Sequence, residues 1–283
     1  MNSTNIFICI ISSMLVFSSC TCTNKQTYDY ESYGLNCPVK SVKVNTYEAE
    51  SKFGEIVKGD LARDWHYLAT FNEVGNLESI TDYDDDGDLS LVTKYKYNVN
   101  NQIAEVSYYS DDGDLIQQII CAYDNNQITS KIYKTYWNDE EEITELRQKW
   151  NGEQLVERIS IKNGELQAIV KYPEHNKNYA EWVEYDKDGK EISRGDETFD
   201  NNGRVVCGNY GELHMETQWD DKNLPTFLKN ANLYYNTVVS PSLSKSIYYV
   251  EYEYDKKGNW IKQVVYEGEH KKPLTISERV ITY

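Results

Sequence analysis

The 283-residue sequence predicts an all-β protein of tandem β-hairpins, folded as an elongated twisted antiparallel sheet or an incomplete barrel-like wrap. Three observations carry that expectation. A seven-residue turn unit recurs along most of the chain, and its clearest copy is Tyr254-Asp255-Lys256-Lys257-Gly258-Asn259-Trp260. The segments between turns alternate in polarity: after Gly87, Leu89, Leu91, Tyr95 and Tyr97 share one parity, while Ser90, Lys94 and Lys96 take the other. The composition, with 25 tyrosines and only 5 prolines, favours strands.

The turn unit is a hairpin in local chemistry. Asp or Asn after an aromatic residue bonds its own downstream backbone, and Gly or Asn at the fifth place accepts the positive φ of a tight turn. The aromatic and the apolar seventh residue then face each other across the strand ends.

In chain order, the first segment is read as a processing signal. Ile6 to Phe17 is an apolar run too short to span a bilayer but suited to a secretory signal, and Phe17-Ser18-Ser19-Cys20 follows it. The small residues before Cys20 resemble a bacterial lipobox, which predicts a signal peptide over 1–19 and lipidation at Cys20. Phe17 stands where Leu is usual, and Met1 to Asn5 has no Lys or Arg. An ordinary signal peptide cut nearby would leave Cys20 and Cys22 free or paired. Residues 20–36 are expected to form a tether. The β domain spans 37–283.

Val39, Val42 and Val44 open the first strand, and Tyr47 through Phe53-Gly54-Glu55-Ile56 reads as a divergent hairpin. Full copies of the unit start at Phe71, Tyr83, Tyr97, Tyr109, Phe199 and Tyr254. Relaxed copies start at Tyr123, Trp137, Trp150, Ile161, Tyr185 and Trp219. From Phe71 to Ile161 the starts lie 12, 14, 12, 14, 14, 13 and 11 residues apart, room for one turn and one strand each. Three stretches break the pattern: Pro173 to Ala180, Gly208 to Met215, and an irregular insertion over 224–246. In the last, Pro225 is placed to open a short helix through Leu228 and Leu233, and Pro241 to end regular structure. Insertions in repeat proteins gather on functional faces, so Leu233, Tyr234 and Tyr235 are candidate contacts. Packing over the end of the sheet is their structural alternative.

The copies resemble YD repeats, the Tyr-Asp-x-x-Gly units of RHS-type proteins. The segment from Glu253 to Ile261, with Glu278 to Tyr283 after it, is similar to the ends of secreted YD-repeat lipoproteins of Bacteroidetes. The opening at Cys37-Pro38-Val39-Lys40 with Phe53-Gly54-Glu55-Ile56 is similar to that group as well. The resemblance covers about 37–283. It implies a β-repeat scaffold and names no activity. The expected location is the cell envelope, with the chain lipid-anchored at the outer membrane.

Chemistry is sparse. Asp82, Asp84 and Asp86 stand at positions one, three and five of an EF-hand-like loop, with Gly87 at six and Asp88 beside it. Thr93 at twelve cannot supply the bidentate carboxylate. The acidic turn is already explained by the YD unit. His66, His175, His214 and His270 form no HExxH pattern, and there is no G-x-S-x-G elbow or P-loop. With 46 acidic residues, a glycosidase-like carboxylate pair is not identifiable from sequence. Cys37, Cys121 and Cys207 lack zinc-site spacing, and the sequence does not choose disulfide partners. A net charge of -17 argues against nucleic acid. Tryptophans in a β array, Trp182 among them, are candidates for stacking on sugars or gripping a peptide; Trp137, Trp150 and Trp219 occupy the repeat's own aromatic position and are read as core. The expectation is a non-enzymatic lipoprotein without cofactors, membrane-anchored and binding a protein or glycan. The alternatives are a polysaccharide-acting enzyme and an immunity or antitoxin-like protein.

Overall fold

The computed structural model describes residues 33–63, 66–137, 140–210, 213–221, 224–229, 231–234, 237–241, 247–269 and 271–283. The lipidation candidate Cys20 lies outside them. The described residues form strands and no helix. β1 (Ser41–Lys52), β2 (Glu55–Leu61), β3 (His66–Phe71), β4 (Leu77–Tyr83), β5 (Leu89–Tyr97), β6 (Ile103–Ser110) and β7 (Leu115–Asp124) come first. β8 (Gln127–Trp137), β9 (Glu140–Asn151), β10 (Gln154–Lys162), β11 (Glu165–His175), β12 (Tyr179–Asp186), β13 (Glu191–Phe199) and β14 (Val205–Tyr210) follow. The chain ends with β15 (Leu213–Trp219), β16 (Pro225–Lys229), β17 (Ala231–Tyr234), β18 (Thr237–Pro241), β19 (Ile247–Tyr254), β20 (Trp260–Glu267) and β21 (Lys272–Thr282).

The expected open sheet is in fact closed. Every pairing is antiparallel, and β1 meets β3 on one edge and β21 on the other, from Ser41↔Thr282 to Glu48↔Thr275. One 19-stranded sheet results, of which 18 strands form a closed barrel. β2 is the extra strand, folded back on the far half of β1. Closure removes the free edges that an open array of this length would expose.

The turns form as the sequence indicates. In the C-terminal copy, Asp255 Oδ1 accepts the backbone N–H groups of Lys257 and Asn259, both at 2.9 Å. Gly258 has φ 82°. The same two bonds recur at Asn72, Asp84, Asn98, Asp186 and Asp200. Aromatic and seventh residue are register partners, as at Tyr254↔Trp260 and Phe71↔Leu77, each behind a one-residue bulge.

That bulge splits the copies into two classes. Turns at the near end of the barrel, where residues 33–40 enter, put their aromatic residue on the inner wall: Phe71, Tyr97, Tyr123, Trp150, Trp219 and Tyr254. The tyrosines and tryptophans among them reach back to the preceding hairpin. The Tyr97 hydroxyl donates to the Leu77 carbonyl at 2.8 Å, Tyr123 to Ile103 at 2.9 Å, and Trp150 Nε1 to Ile128 at 2.8 Å. At the far end, Tyr83, Tyr109 and Tyr185 face outward, and Lys43, Lys94 and Lys171 lie over their rings.

The core sits on the inner wall. Val42, Val44, Tyr67, Ala69, Phe71 and Trp260 pack there with Tyr33 and Leu35. Residues 33–36, expected to belong to the tether, are therefore part of the fold. Asn36 also clamps the last turn, donating its backbone N–H to Asn259 Oδ1 at 2.7 Å and its side-chain amide to the Gly258 carbonyl. Arg279 is buried in the same core with its guanidinium stacked on Trp260, 3.5 Å from the ring centroid, and burial pushes its pKa down. The stack is worth about 2 kcal/mol. Burial of an ion costs several kcal/mol, so the stack offsets only part.

Three further expectations are corrected. The predicted helix after Pro225 is strand: β16 pairs with β15 and β19, and β17 pairs with β18 in a separate hairpin that includes Pro241. Long-range pairing here overrides the N-terminal helix signal of proline. Pro173 to Ala180 is the end of β11, a short turn and the start of β12. Of Gly208 to Met215, the residues up to Tyr210 end β14 and those from Leu213 open β15, and the two strands pair antiparallel.

The outer wall is charged along its length. Lys96 pairs with Glu105 at 2.8 Å, Lys262 with Glu253 at 2.7 Å, and Lys229 with Glu216 at 2.8 Å. Lys58 of β2 reaches Glu278 of β21, also at 2.8 Å.

Candidate functional site on the inner wall

The inner wall differs around the ring. On β1, β3, β20 and β21 the inward residues are mostly buried, whereas on β8 and β9 Lys131, Tyr133, Thr135, Glu142, Thr144 and Gln148 are all half-buried. Water therefore reaches this sector from within, as the width of an 18-strand ring allows.

Beside it, strands β10 to β14 bring together an aromatic and ionisable cluster. Two glycines make the room. A Cβ on Gly195 would lie 2.6 Å from the Trp182 ring, and one on Gly208 2.6 Å from the Tyr210 ring. Those rings are 6.2 Å apart, and Trp182 packs with Leu155 and Tyr172. The Tyr210 hydroxyl donates to Glu197 Oε1. Arg158 stands over Tyr172 at 5.9 Å, and Tyr172 meets the His175 ring edge-on at 6.1 Å.

The electrostatics follow from burial. Glu197 is 3% exposed. Desolvation raises its pKa to about 7, against the Tyr210 bond and the positive charge of Arg158, which pull it down. Glu184 is also raised by desolvation, and His175 is lowered by it. Burial pushes the Tyr210 hydroxyl well up, helped by the nearby Glu197 charge. Two buried atoms here, Tyr172 Oη and His175 Nδ1, have no hydrogen-bond partner among the described residues. At neutral pH this wall can offer a carboxylic acid proton, a guanidinium and a phenol hydroxyl beside flat aromatic surface.

Trp182 is the one candidate from the sequence that lies in this cluster, at 7% exposure and packed rather than presented outward. Arg158, Tyr172, Glu197 and Tyr210 were missed. The signal available was parity: Glu197 is two residues from the inward Phe199. Trp150 and Trp219, read as core, are only half-buried, and Trp137 is 52% exposed. Leu233 and Tyr234 fall in the β17 hairpin, apart from the cluster, and Tyr235 lies outside the described residues.

The acidic turn does not gather. Asp84 accepts the backbone N–H groups of Asp86 at 3.1 Å and Asp88 at 2.8 Å, while Asp82 follows the inward parity of β4, opposite Tyr67 and Leu91. Among the described residues no three His, Cys, Asp or Glu side chains could hold a metal ion. Cys37, Cys121 and Cys207 are free thiols.

No protein family profile matches the sequence, and no curated protein matches it. Among solved structures, the chain is similar to a porin-like protein from Bacteroides uniformis at 12% identity and a TM-score of 0.40, covering 86% of this chain and 96% of that one. It is similar to the TcdB2-TccC3-Cdc42 structure at 10% identity and a TM-score of 0.29, covering 79% of this chain and 15% of that one. A DUF1329 family protein from Desulfovibrio piger follows at 8% identity and a TM-score of 0.17, covering 90% and 89%. Likeness at these scores carries no argument about activity.

Proposed function

We propose that the protein is a lipid-anchored component of the cell envelope whose barrel stands in water and binds a glycan segment along the inner wall of β8 to β14. The observation that carries the reading is the cluster of donors around Tyr172, Arg158 and Glu197 beside the Trp182 and Tyr210 rings. Acceptor-rich sugars with flat apolar faces complement such a wall. The site is read as binding without turnover. Glu184 and Glu197 are shifted in the same direction, whereas acid–base catalysis needs two carboxyls pushed apart.

The charged outer wall supports the location. A lysine or arginine on a lipid-facing strand costs about 2–4 kcal/mol at the bilayer midplane. Outward Lys94, Arg147, Lys171 and Lys262 would each incur a cost of that kind, so the proposed contact with the membrane is the lipid on Cys20. In detergent phase partition the wild-type protein should enter the detergent phase with an acyl label and Cys20→Ser should stay in the aqueous phase. A Cys20→Ser variant that still enters detergent would show that the wall meets lipid. On a glycan array the aqueous variant should bind a hit that Arg158→Ala loses. Binding to peptides alone, or hits unchanged in Arg158→Ala, would remove the inner wall from the function.

A further inference from the structure

Arg279 projects inward from β21, beside Val44 of β1, where the first and last strands close the barrel. It is 5% exposed, and none of Nε, Nη1 and Nη2 makes a well-directed hydrogen bond among the described residues. No carboxylate therefore pairs with it at hydrogen-bonding range. Its surroundings are aromatic: Trp260 beneath, with Tyr33, Tyr67 and Tyr252 around it, and the Tyr67 hydroxyl is the neutral oxygen that approaches the guanidinium. Trp260 is 1% exposed, and its own Nε1 also lacks an acceptor.

Two buried side chains in contact thus hold more donors than the single Tyr67 oxygen could accept from, and one carries a full positive charge. Burial of an unpaired cation is costly, and aromatic stacking compensates it only in part. Neutral groups would satisfy the N–H donors but leave the charge unbalanced. A small monovalent anion does both. Oxyanions of higher charge would overcompensate one guanidinium and would give up more hydration on entering an aromatic core.

We infer that Arg279 and Trp260 form a binding site for a halide-sized anion inside the barrel, at the β1–β21 closure. The site lies apart from the Glu197 cluster and does not depend on the binding function proposed for it. Its occupation ties anion binding to closure of the ring, because ligand held only by the folded chain stabilises it.

The test is thermal melting of the mature protein in sodium bromide against sodium gluconate at equal ionic strength. Wild type should show a saturable rise of about 2–4 °C in bromide. Arg279→Gln should show none. Equal melting of the wild type in the two salts, or an equal rise in the variant, would overturn the site. Bromide-soaked wild-type crystals give a reading that does not require the variant to fold. Anomalous density in contact with both Arg279 and Trp260 supports the site, and its absence at saturating bromide refutes it.

Discussion

Glu197 shows how much one side chain owes to its place on the sheet. The sequence offers 46 acidic residues and no local mark to single this one out. Parity on β13 turns it inward with Gly195 and Phe199, and that much was readable. What was not readable is Tyr210, which reaches it from the neighbouring strand across Gly208. The result is a carboxyl whose pKa is about 7 in the folded chain against an ordinary value of 4.5. The native state then keeps a proton that the unfolded chain has released. Its contribution to stability is complete below about pH 4.5 and is lost as the pH rises through about 7, a loss of ~3 kcal/mol. Glu197→Gln, neutral throughout, should lack that fall. Urea unfolding at several pH values between 4.5 and 8 should show wild type and variant diverging in favour of the variant as the pH rises. Parallel curves would mean that Glu197 ionises in the fold without penalty.

At the scale of the hairpin, the repeat is two rules written in one alphabet. Tyr97 and Tyr109 open full copies of the same motif, yet Tyr97 faces the core and Tyr109 faces water beneath Lys94. The turn, the bulge-side partner and the positive φ were all legible, since each is set within seven residues. The face was harder to read because consecutive turns lie at opposite ends of the barrel and a bulge shifts parity at most of them. The functional period is therefore a pair of strands, and inward aromatics Phe71, Tyr97, Tyr123 and Trp150 lie 26 or 27 residues apart. Tyr97→Phe removes the hydrogen bond to Leu77 and leaves a buried carbonyl with one partner fewer. It should cost about 1 kcal/mol in urea unfolding. Tyr109→Phe keeps the ring that Lys94 covers and should change stability by less than about 0.5 kcal/mol. Equal effects in the two variants would contradict the division into inner and outer copies.

Closure of the whole molecule was the least legible feature, because it rests on residues more than two hundred positions apart. Nothing in Val42, Val44 or Thr46 announces that their partners are Ile281, Arg279 and Ser277. The number of copies pointed instead to an open or incomplete wrap. Closure nonetheless decides what the chain can do: it creates an inner wall, separates it from a charged outer wall, and buries Arg279. The pairing can be trapped directly. Thr46 and Ser277 are register partners whose hydroxyl oxygens lie 2.9 Å apart in the core. Thr46→Cys combined with Ser277→Cys should form an intramolecular disulfide, seen as linked peptides by mass spectrometry and as monomer on a non-reducing gel. A cross-link over so long a loop constrains the unfolded chain by about 5 kcal/mol in the chain-entropy estimate. The oxidised protein should melt on the order of 10 °C above its reduced form. Two thiols that stay reduced under oxidation would describe an open sheet, and a disulfide found only between chains would describe strands exchanged between copies. Either outcome would remove the enclosed wall on which the binding function rests.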